Sequence, residues 1–327
     1  MLYPKKLSKK TIGITALSSG VGNNITDFET SLNNLKARGF NTIETNNVRS
    51  NKEPSSKAII RAKELDELIC NDNVEAIICA AGGDYLIEIL PFVNFNNIKK
   101  HPKWIMGASD PTSLLYLVTT TLDIATIYGH NGGSFDGKKL HKSQEIALEY
   151  LKGNYIVQES YDKYESDRNS RIEGCYKLDK KVKWESNKKE VNIRGRIIGG
   201  CIDCLKDLPN TSYDKTIQFL EKYKKDGIIW YFDIFSLNTE DFYNSLIKMQ
   251  EANWFKYVKG VIVGRVMYPS SNTNLTYEES LEKIFKEIPL IWNTDITHVA
   301  PKMTIINGSI VQITYKDNKG SLKFDCI

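Results

Sequence analysis

Short apolar runs alternate with amphipathic stretches over the first 150 residues of the chain. The runs are rich in β-branched residues, and the stretches between them carry apolar residues at spacings of three and four. The helix predicted over 54–70 has one apolar stripe, formed by Ile59, Ala62, Leu65, Leu68 and Ile69. Pro54 suits the first turn of that helix. The alternation as a whole predicts α/β architecture, with an open parallel sheet and crossover helices.

Four of the predicted strands end in loops of small or polar residues. These loops span 18–24, 81–84, 107–110 and 129–134. In an open parallel sheet the carboxyl ends of the strands lie at one edge, and ligands bind there. We therefore expect the functional residues of the N-terminal half at this edge.

The periodic pattern is lost in the middle of the chain, where charged and polar residues dominate. We predict an N-terminal α/β domain over 1–155, a linker or hairpin over 156–192 and a C-terminal domain over 193–327. The C-terminal domain is predicted to be smaller, with a mixed α/β, β-barrel-like fold. Within it, the dipeptide Asn307–Gly308 predicts a hairpin turn.

The composition is that of an ordinary globular protein. Of 327 residues, 41% are hydrophobic and 26% are charged, and no apolar stretch is long enough to cross a bilayer. The first residues lack the pattern of a secretory signal, so we predict a cytoplasmic protein without a membrane partner. The formal charge of +4 comes from 44 basic and 40 acidic residues dispersed along the chain, which argues against a nucleic-acid partner.

Six cysteines are spread along the chain, several of them inside apolar runs: Cys70, Cys79, Cys175, Cys201, Cys204 and Cys326. A chain of this length needs no disulfide framework, so we expect reduced, mostly buried thiols. Cys201 and Cys204 form a CxxC pair, but no second pair stands at zinc-site spacing. We therefore predict packing roles for them and no metal site.

The segment WIMGASDPTSLLYLV contains the strongest candidate nucleophile. An apolar strand stops at Gly107 and Pro111 opens a helix, so Ser109 lies on the turn between them. This order is typical of a nucleophile elbow, in which the backbone amide of Asp110 supplies one oxyanion donor. The usual GxSxG pattern is incomplete, so a second interpretation stays open, in which Ser109 or Asp110 only caps the helix.

Several segments together resemble the LD-carboxypeptidase and microcin-immunity family of serine peptidases. They are GGDYLIEILPFVNFNNIKKHPKWIMGASDPTSLLYLV, RGRIIGGCIDCLKDLPNT, IIWYFDIF and the late HVAP. The resemblance covers residues 11–315. It implies hydrolysis of an amide bond through an acyl-enzyme, with no cofactor and with a homodimeric assembly. The implied substrate is a cell-wall peptide, cut between an L- and a D-configured centre, or an aminoacyl-nucleotide of the microcin C type.

The same resemblance implies site residues. Ser109 takes the place of the nucleophile, His298 that of the general base, and the amide of Gly83, after Gly82, that of the second oxyanion donor. The acid of the family's triad is a glutamate, and its position falls on Asp233. Aspartate is shorter by one methylene, about 1.5 Å of reach.

Other interpretations of these residues remain open. Asp295 lies three residues before the histidine and is a rival orienting acid. Gly82 and Gly83 could form a tight turn without function. Because of the shorter acid, the chain could instead be a non-catalytic protein that binds a small molecule or peptide with a weakened triad.

A sugar or nucleotide binder is a third possibility. In it Ser19, Gly20 and Gly22 would hold a phosphate. That loop lacks both the lysine of a P-loop and the spacing of a dinucleotide fingerprint, so we place it behind the peptidase and the binding protein.

Overall fold

Strands and helices alternate along most of the chain. A computed structural model describes residues 1–325, so Cys326 lies outside the described residues. The strands are β1 (Thr11–Thr15), β2 (Asn41–Glu44), β3 (Ala76–Cys79), β4 (Trp104–Gly107), β5 (Thr126–Tyr128), β6 (Gln158–Glu159), β7 (Lys163–Glu165), β8 (Leu178–Lys181), β9 (Glu185–Ser186), β10 (Glu190–Cys201), β11 (Ile228–Asp233), β12 (Val258–Gly264), β13 (Leu290–Thr294), β14 (Ile305–Asn307), β15 (Ile310–Lys316) and β16 (Lys319–Asp325). The α-helices are α1 (Ile25–Ala37), α2 (Ala58–Cys70), α3 (Phe95–Lys100), α4 (Thr112–Leu122), α5 (Lys142–Leu151), α6 (Ile202–Leu205), α7 (Thr216–Tyr223), α8 (Thr239–Glu251) and α9 (Tyr277–Phe285).

The chain forms two compact units. The first comprises 1–156, 167–177 and 304–306, and the second comprises 157–166, 178–303 and 307–327. The segment 156–192, for which the sequence predicts a linker or hairpin, is thus divided between the units and carries β6, β7, β8 and β9.

The first unit contains a six-stranded sheet in the order β14-β5-β4-β3-β1-β2. β1, β2, β3, β4 and β5 pair in parallel, so the predicted open parallel sheet is confirmed. Every residue of β3 and β4 is buried, as expected for strands covered on both faces. Because these strands run in the same direction, the loops after β1, β3, β4 and β5 lie at one edge of the sheet.

Helix α2 differs from its prediction. It begins at Ala58 rather than at Pro54, and Ile59, predicted to be part of the apolar stripe, is 57% exposed. Arg61 takes an inward position instead and is fully buried. Its guanidinium donates to the carbonyls of Leu17 (2.7 Å) and Tyr85 (2.9 Å) and pairs with the carboxylate of Glu88 (2.6 Å), and these contacts together offset the cost of burying the charge.

The second unit contains a mixed eight-stranded sheet in the order β6-β16-β15-β10-β11-β12-β13-β9. β10, β11, β12 and β13 form a parallel core. β15, β16 and β6 extend it antiparallel on one side, and β9 does so on the other. β7 and β8 pair separately as an antiparallel hairpin. The prediction of a mixed α/β fold here is confirmed.

The predicted hairpin at Asn307–Gly308 is wrong. β14, before it, belongs to the first sheet, whereas β15, after it, belongs to the second, so the two strands do not pair. The hairpin of this region joins β15 to β16 through Asp317 and Asn318. Both have positive φ, of 50° and 62°, as a two-residue hairpin turn requires.

No helix within residues 1–325 combines the length and the apolar character needed to span a membrane.

Candidate active site

Ser109 lies on the sharp turn between β4 and α4. Its φ of 68° is left-handed, a conformation that costs a residue other than glycine on the order of 1–3 kcal/mol. The amide of Thr112 donates to the carbonyl of Ser109 at 2.8 Å and closes the turn. Strand, strained serine and helix follow in the order that defines a nucleophile elbow, as the sequence predicts.

Side chains at the end of β5 fix the backbone of this turn. The amide of Ala108 donates to Oδ1 of Asn131 at 2.9 Å, and Nδ2 of Asn131 donates back to the carbonyl of Ala108 at 3.2 Å. The amide of Ser109 donates to the hydroxyl of Tyr128 at 3.3 Å. The strained turn is therefore held from outside its own segment, which the strain requires.

The glycine pair after β3 lies against the elbow. A Cβ placed on Gly82 would be 3.0 Å from Cβ of Ser109 and 3.2 Å from its Oγ. Gly83 has a φ of 138°, and a Cβ there would be only 2.4 Å from Oγ of Ser18. Gly83 requires glycine because of its backbone conformation, whereas at Gly82 an added side chain would crowd Ser109.

Two backbone amides at this edge are available to a ligand. Within residues 1–325, no hydrogen bond engages the amide of Asp110 or that of Gly83. Asp110 directly follows Ser109, and Gly83 follows the glycine that contacts Ser109. Free amides beside a nucleophile are the donors that an oxyanion hole needs.

Replacing Gly82 by alanine tests whether the close approach of Gly82 to Ser109 matters for catalysis. We expect kcat to fall by about 10²-fold, because the added methyl displaces the Ser109 hydroxyl or blocks the approach of a carbonyl to it. Gly133→Ala is the matched control, since a Cβ there meets its nearest atoms at an ordinary 3.6 Å. Steady-state kinetics of the two purified variants make the comparison. Equal kcat values for both variants would show that Gly82 has no special role.

The carboxylate of Asp110 ties the loop after β3 to the elbow. It is 5% exposed and accepts from the amide of Leu86 at 2.8 Å, from the amide of Tyr85 and from the hydroxyl of Ser18. Burial raises the pKa of the Asp110 carboxyl, and these hydrogen bonds oppose the rise. The Asp110 side chain thus positions three loops of the sheet edge, a role that the sequence analysis did not identify.

The loop after β1 does not form a phosphate cradle. The amide of Val21 donates to the carbonyl of Val48 (2.8 Å), and the amide of Gly22 donates to the carbonyl of Ser50 (2.9 Å). A Cβ on Gly20 would be 2.3 Å from the carbonyl oxygen of Ser50. These glycines permit close packing against the chain after β2, and two of the three amides proposed to hold a phosphate, those of Ser19 and Gly22, already donate to backbone carbonyls.

His298 and Asp233 form a hydrogen-bonded pair in the second unit. Asp233 is the last residue of β11 and is fully buried, and His298 lies in the loop after β13. Nδ1 of His298 is 2.9 Å from Oδ1 of Asp233, and the backbone amide of His298 donates to the same oxygen at 3.0 Å. Asp233 therefore fixes both the ring and the backbone of the histidine.

The other ring nitrogen of His298 is unengaged. A carboxylate only accepts, so Nδ1 carries a proton in the contact with Asp233, and in the neutral imidazole the lone pair then lies on Nε2. Nε2 is buried and has no hydrogen-bond partner within residues 1–325. The ring of Phe235 packs against the imidazole with a centroid distance of 4.9 Å. An oriented imidazole with a free Nε2 is the arrangement that a general base requires.

Asp295, the rival acid, has other partners. It is fully buried and accepts from Arg265 (2.7 Å), from the indole of Trp184 (2.8 Å) and from the amide of Tyr161 (3.2 Å). Burial raises the pKa of the Asp295 carboxyl, and the charge of Arg265 opposes the rise. Its contacts serve the packing of the second unit and do not include His298.

Of the five described cysteines, two are buried (Cys79 and Cys201), two are intermediate (Cys175 and Cys204) and Cys70 is exposed, so the expectation of mostly buried thiols is wrong. Cys70, Cys79, Cys175, Cys201 and Cys204 are all free thiols. Burial raises the pKa of the Cys79 thiol to about 12, and the hydrogen bond with Cys204, together with burial, raises that of Cys201 far above its usual value. Residues 1–325 contain no cluster of His, Cys, Asp or Glu side chains able to hold a metal ion.

Both parts of this chain match models of known protein domains. A domain described as the LD-carboxypeptidase N-terminal domain matches residues 12–129. The LD-carboxypeptidase C-terminal domain matches residues 194–313. The two matches together cover more than half of the chain and include Ser109, Asp233 and His298.

Curated relatives match most of the chain at low identity. The microcin C7 self-immunity protein MccF of Escherichia coli is 23% identical over 289 residues, which are 79% of this chain and 76% of that protein. A putative carboxypeptidase of Vibrio cholerae is 24% identical over 316 residues, 89% of this chain and 85% of that protein.

Solved structures of such proteins share the fold. The wild-type apo structure of MccF superposes with a TM-score of 0.85 at 20% identity, over 100% of this chain and 99% of that one. Other structures of MccF hold aspartyl sulfamoyl adenosine or glutamyl sulfamoyl guanosine. A muramoyltetrapeptide carboxypeptidase from Oxalobacter formigenes superposes with a TM-score of 0.76 at 17% identity, over 97% of this chain and 99% of that one. With both domains matched in order along the sequence, the chain belongs to the LD-carboxypeptidase family of peptidases.

Proposed function

We propose that this protein is a serine peptidase that hydrolyses an amide bond through an acyl-enzyme, with Ser109 as nucleophile, His298 as general base and Asp233 as the orienting acid. The observation that carries the proposal is the pair in the second unit, in which Nδ1 of His298 is bonded to Asp233 while Nε2 has no partner within residues 1–325. The strained elbow at Ser109 supports it independently.

The chemistry follows from these groups. Nε2 of His298 takes the proton from the Ser109 hydroxyl as Oγ attacks the carbonyl carbon of the substrate. The amides of Asp110 and Gly83 hold the oxyanion of the tetrahedral intermediate. As the amide bond breaks, His298 passes the proton to the leaving nitrogen. A water molecule, deprotonated by the same histidine, then attacks the acyl-enzyme and frees Ser109.

The aspartate in place of the family's glutamate is compatible with this mechanism. Asp233 is a shorter acid, yet its Oδ1 lies 2.9 Å from Nδ1 of His298 and 3.0 Å from the backbone amide of the same residue. The shorter carboxylate thus reaches both the ring and the backbone of the histidine at hydrogen-bond distance. We therefore favour an active enzyme over a binding protein with a weakened triad.

The proposed substrate is a cell-wall peptide, cleaved between an L- and a D-configured centre, or an aminoacyl-nucleotide. Relatives support each class: one is named a muramoyltetrapeptide carboxypeptidase, and another binds aminoacyl sulfamoyl nucleosides. In both classes an acyl carbonyl is joined to a leaving group that can depart protonated. Both are therefore substrates that the proposed groups could cleave.

Incubation with a murein tetrapeptide and, separately, with a hydrolysable aminoacyl-nucleotide, followed by mass spectrometry of the products, tests the proposal. We expect one of the two to lose its terminal amino acid or its nucleotide at a catalysed rate. Saturable binding of both, without cleavage of either, would contradict the enzyme and favour the binding protein.

We further propose a homodimer in the cytoplasm, in keeping with the family. Light scattering coupled to size-exclusion chromatography should give a mass near twice the 37.3 kDa of the chain, and cell fractionation should place the protein with cytoplasmic markers. A mass of one chain at micromolar concentration would contradict the dimer.

A further inference from the structure

A single carboxylate anchors the loop that follows Asp233. Asp203 lies on α6, directly after β10. Its Oδ2 accepts from the amide of Phe235 at 2.9 Å, and its Oδ1 accepts from the amides of Ser236 (2.9 Å) and Leu237 (3.1 Å). Three consecutive amides thus converge on one side chain, and hydrogen bonds to a charged acceptor are about twice as strong as neutral ones.

The anchored loop, 235–237, lies next to both members of the proposed pair, Asp233 and His298. It begins two residues after Asp233, and its first residue is Phe235, whose ring packs on the imidazole of His298. The imidazole is therefore held by Asp233 through a hydrogen bond and by Phe235 through ring contact. Displacement of the loop would move the aromatic ring and the end of β11 together.

No other acceptor within residues 1–325 binds the amides of Phe235 and Ser236. The carbonyl of Phe235 accepts from the amide of Tyr268 at 3.1 Å, and the carbonyl of Leu237 accepts from the hydroxyl of Tyr277 at 2.7 Å. The ring of Tyr268 also packs against that of Phe235, so the loop keeps several contacts that do not involve Asp203. Loss of the Asp203 carboxylate would therefore leave the loop attached through its carbonyls but would free its three amides, so the backbone that carries the Phe235 ring would be held less firmly.

We propose that Asp203 is a positioning residue, which sets the orientation of His298 by fixing the loop 235–237 and the ring of Phe235. This inference rests on the proposed function, because it assigns His298 the role of base. Asp203 itself touches neither His298 nor Asp233 through a hydrogen bond.

Two variants at this position form a graded test. Asp203→Asn keeps the shape of the side chain and one acceptor oxygen, so it retains part of the loop contacts, whereas Asp203→Ala removes them all. We expect kcat to fall about 10-fold in the first and about 10²-fold in the second, with KM changed less than about twofold. Asp207→Asn is the matched control, because Asp207 is exposed and, among residues 1–325, its carboxylate hydrogen-bonds only with Lys206. It should keep the kcat of the wild type.

Amide hydrogen exchange provides a readout that is independent of activity. The amides of 235–237 should exchange faster in both Asp203 variants than in the wild type and the Asp207 control. If Asp203 had only a structural role, its substitution would lower the melting temperature and leave kcat per folded molecule unchanged. That result would overturn the inference. Should Asp203→Ala fail to fold, Asp203→Asn decides the question by the same criteria.

The design separates this inference from the proposed function. If Ser109→Ala is inactive and kcat of Asp203→Asn equals that of the wild type, the proposed function stands and the positioning role is wrong. If Ser109→Ala turns over substrate as the wild type does, the proposed function is wrong and the positioning role falls with it.

Discussion

Replacement of Ser109 by alanine is expected to lower kcat by about 10⁶-fold, the largest effect of any single substitution in this chain. The variant lacks the oxygen that forms the acyl-enzyme, and no other hydroxyl occupies the turn between β4 and α4. Folding should be unaffected, since alanine at φ 68° carries the same backbone strain as serine. Initial rates on the preferred substrate, with circular dichroism as a check on folding, measure the effect.

Ser113→Ala is the control for this experiment. Ser113 lies in the first turns of α4 and is buried, so its removal changes the same helix without touching the turn. We expect turnover within a few fold of the wild type. Loss of activity in Ser113→Ala equal to that in Ser109→Ala would mean that damage to the helix, rather than loss of the nucleophile, explains the result.

The second large effect is expected at Asp233. Asp233→Asn should lower kcat by about 10⁴-fold and leave KM nearly unchanged, because an amide favours the wrong imidazole tautomer and does not stabilise the imidazolium. The substitution keeps the size of the side chain, so the end of β11 should remain in place. Steady-state kinetics give both parameters.

Asp295→Asn is the informative contrast. Its carboxylate pairs with Arg265 inside the second unit, and loss of one partner of a buried ion pair should lower the free energy of unfolding by about 3 kcal/mol. Turnover per folded molecule should stay near that of the wild type. If Asp295→Asn lost turnover and Asp233→Asn did not, the acid of the triad would be misassigned. Urea denaturation separates the two effects.

The sequence predicted the parts of the fold that depend on local pattern. Alternating runs placed β1, β3, β4 and β5 in a parallel sheet, and the order of Gly107, Ser109 and Pro111 located the elbow. Each of these features arises within about ten residues, where side-chain periodicity and turn preference act. The corresponding loops therefore lie where the sequence placed them.

Features that join distant parts of the chain were not predicted. Asn131 fixes Ala108 across 23 residues, and Asp203 binds amides more than 30 residues away. A lone polar residue in a loop has no periodicity, so nothing local marks its partner. The loop of Asn131 was included in the expected ligand edge, but the side chain itself was not singled out.

Two errors have the same origin. Asn307–Gly308 has the composition of a hairpin turn, but β14 and β15 pair with strands of different sheets. The tertiary structure decides which strands pair. Arg61 breaks the predicted face of α2 because buried carbonyls of Leu17 and Tyr85 accept from it. In both cases contacts that are distant in sequence outweighed the local preference.

Intact-mass and peptide-mapping mass spectrometry after treatment with a fluorophosphonate tests the central claim most directly, since the reagent reacts with a serine only when a base activates it. We predict one adduct per chain, on Ser109, and none in Ser109→Ala, with labelling strongly slowed in His298→Ala. A folded wild type that takes up no reagent, or an adduct that persists when Ser109 is alanine, would contradict the account.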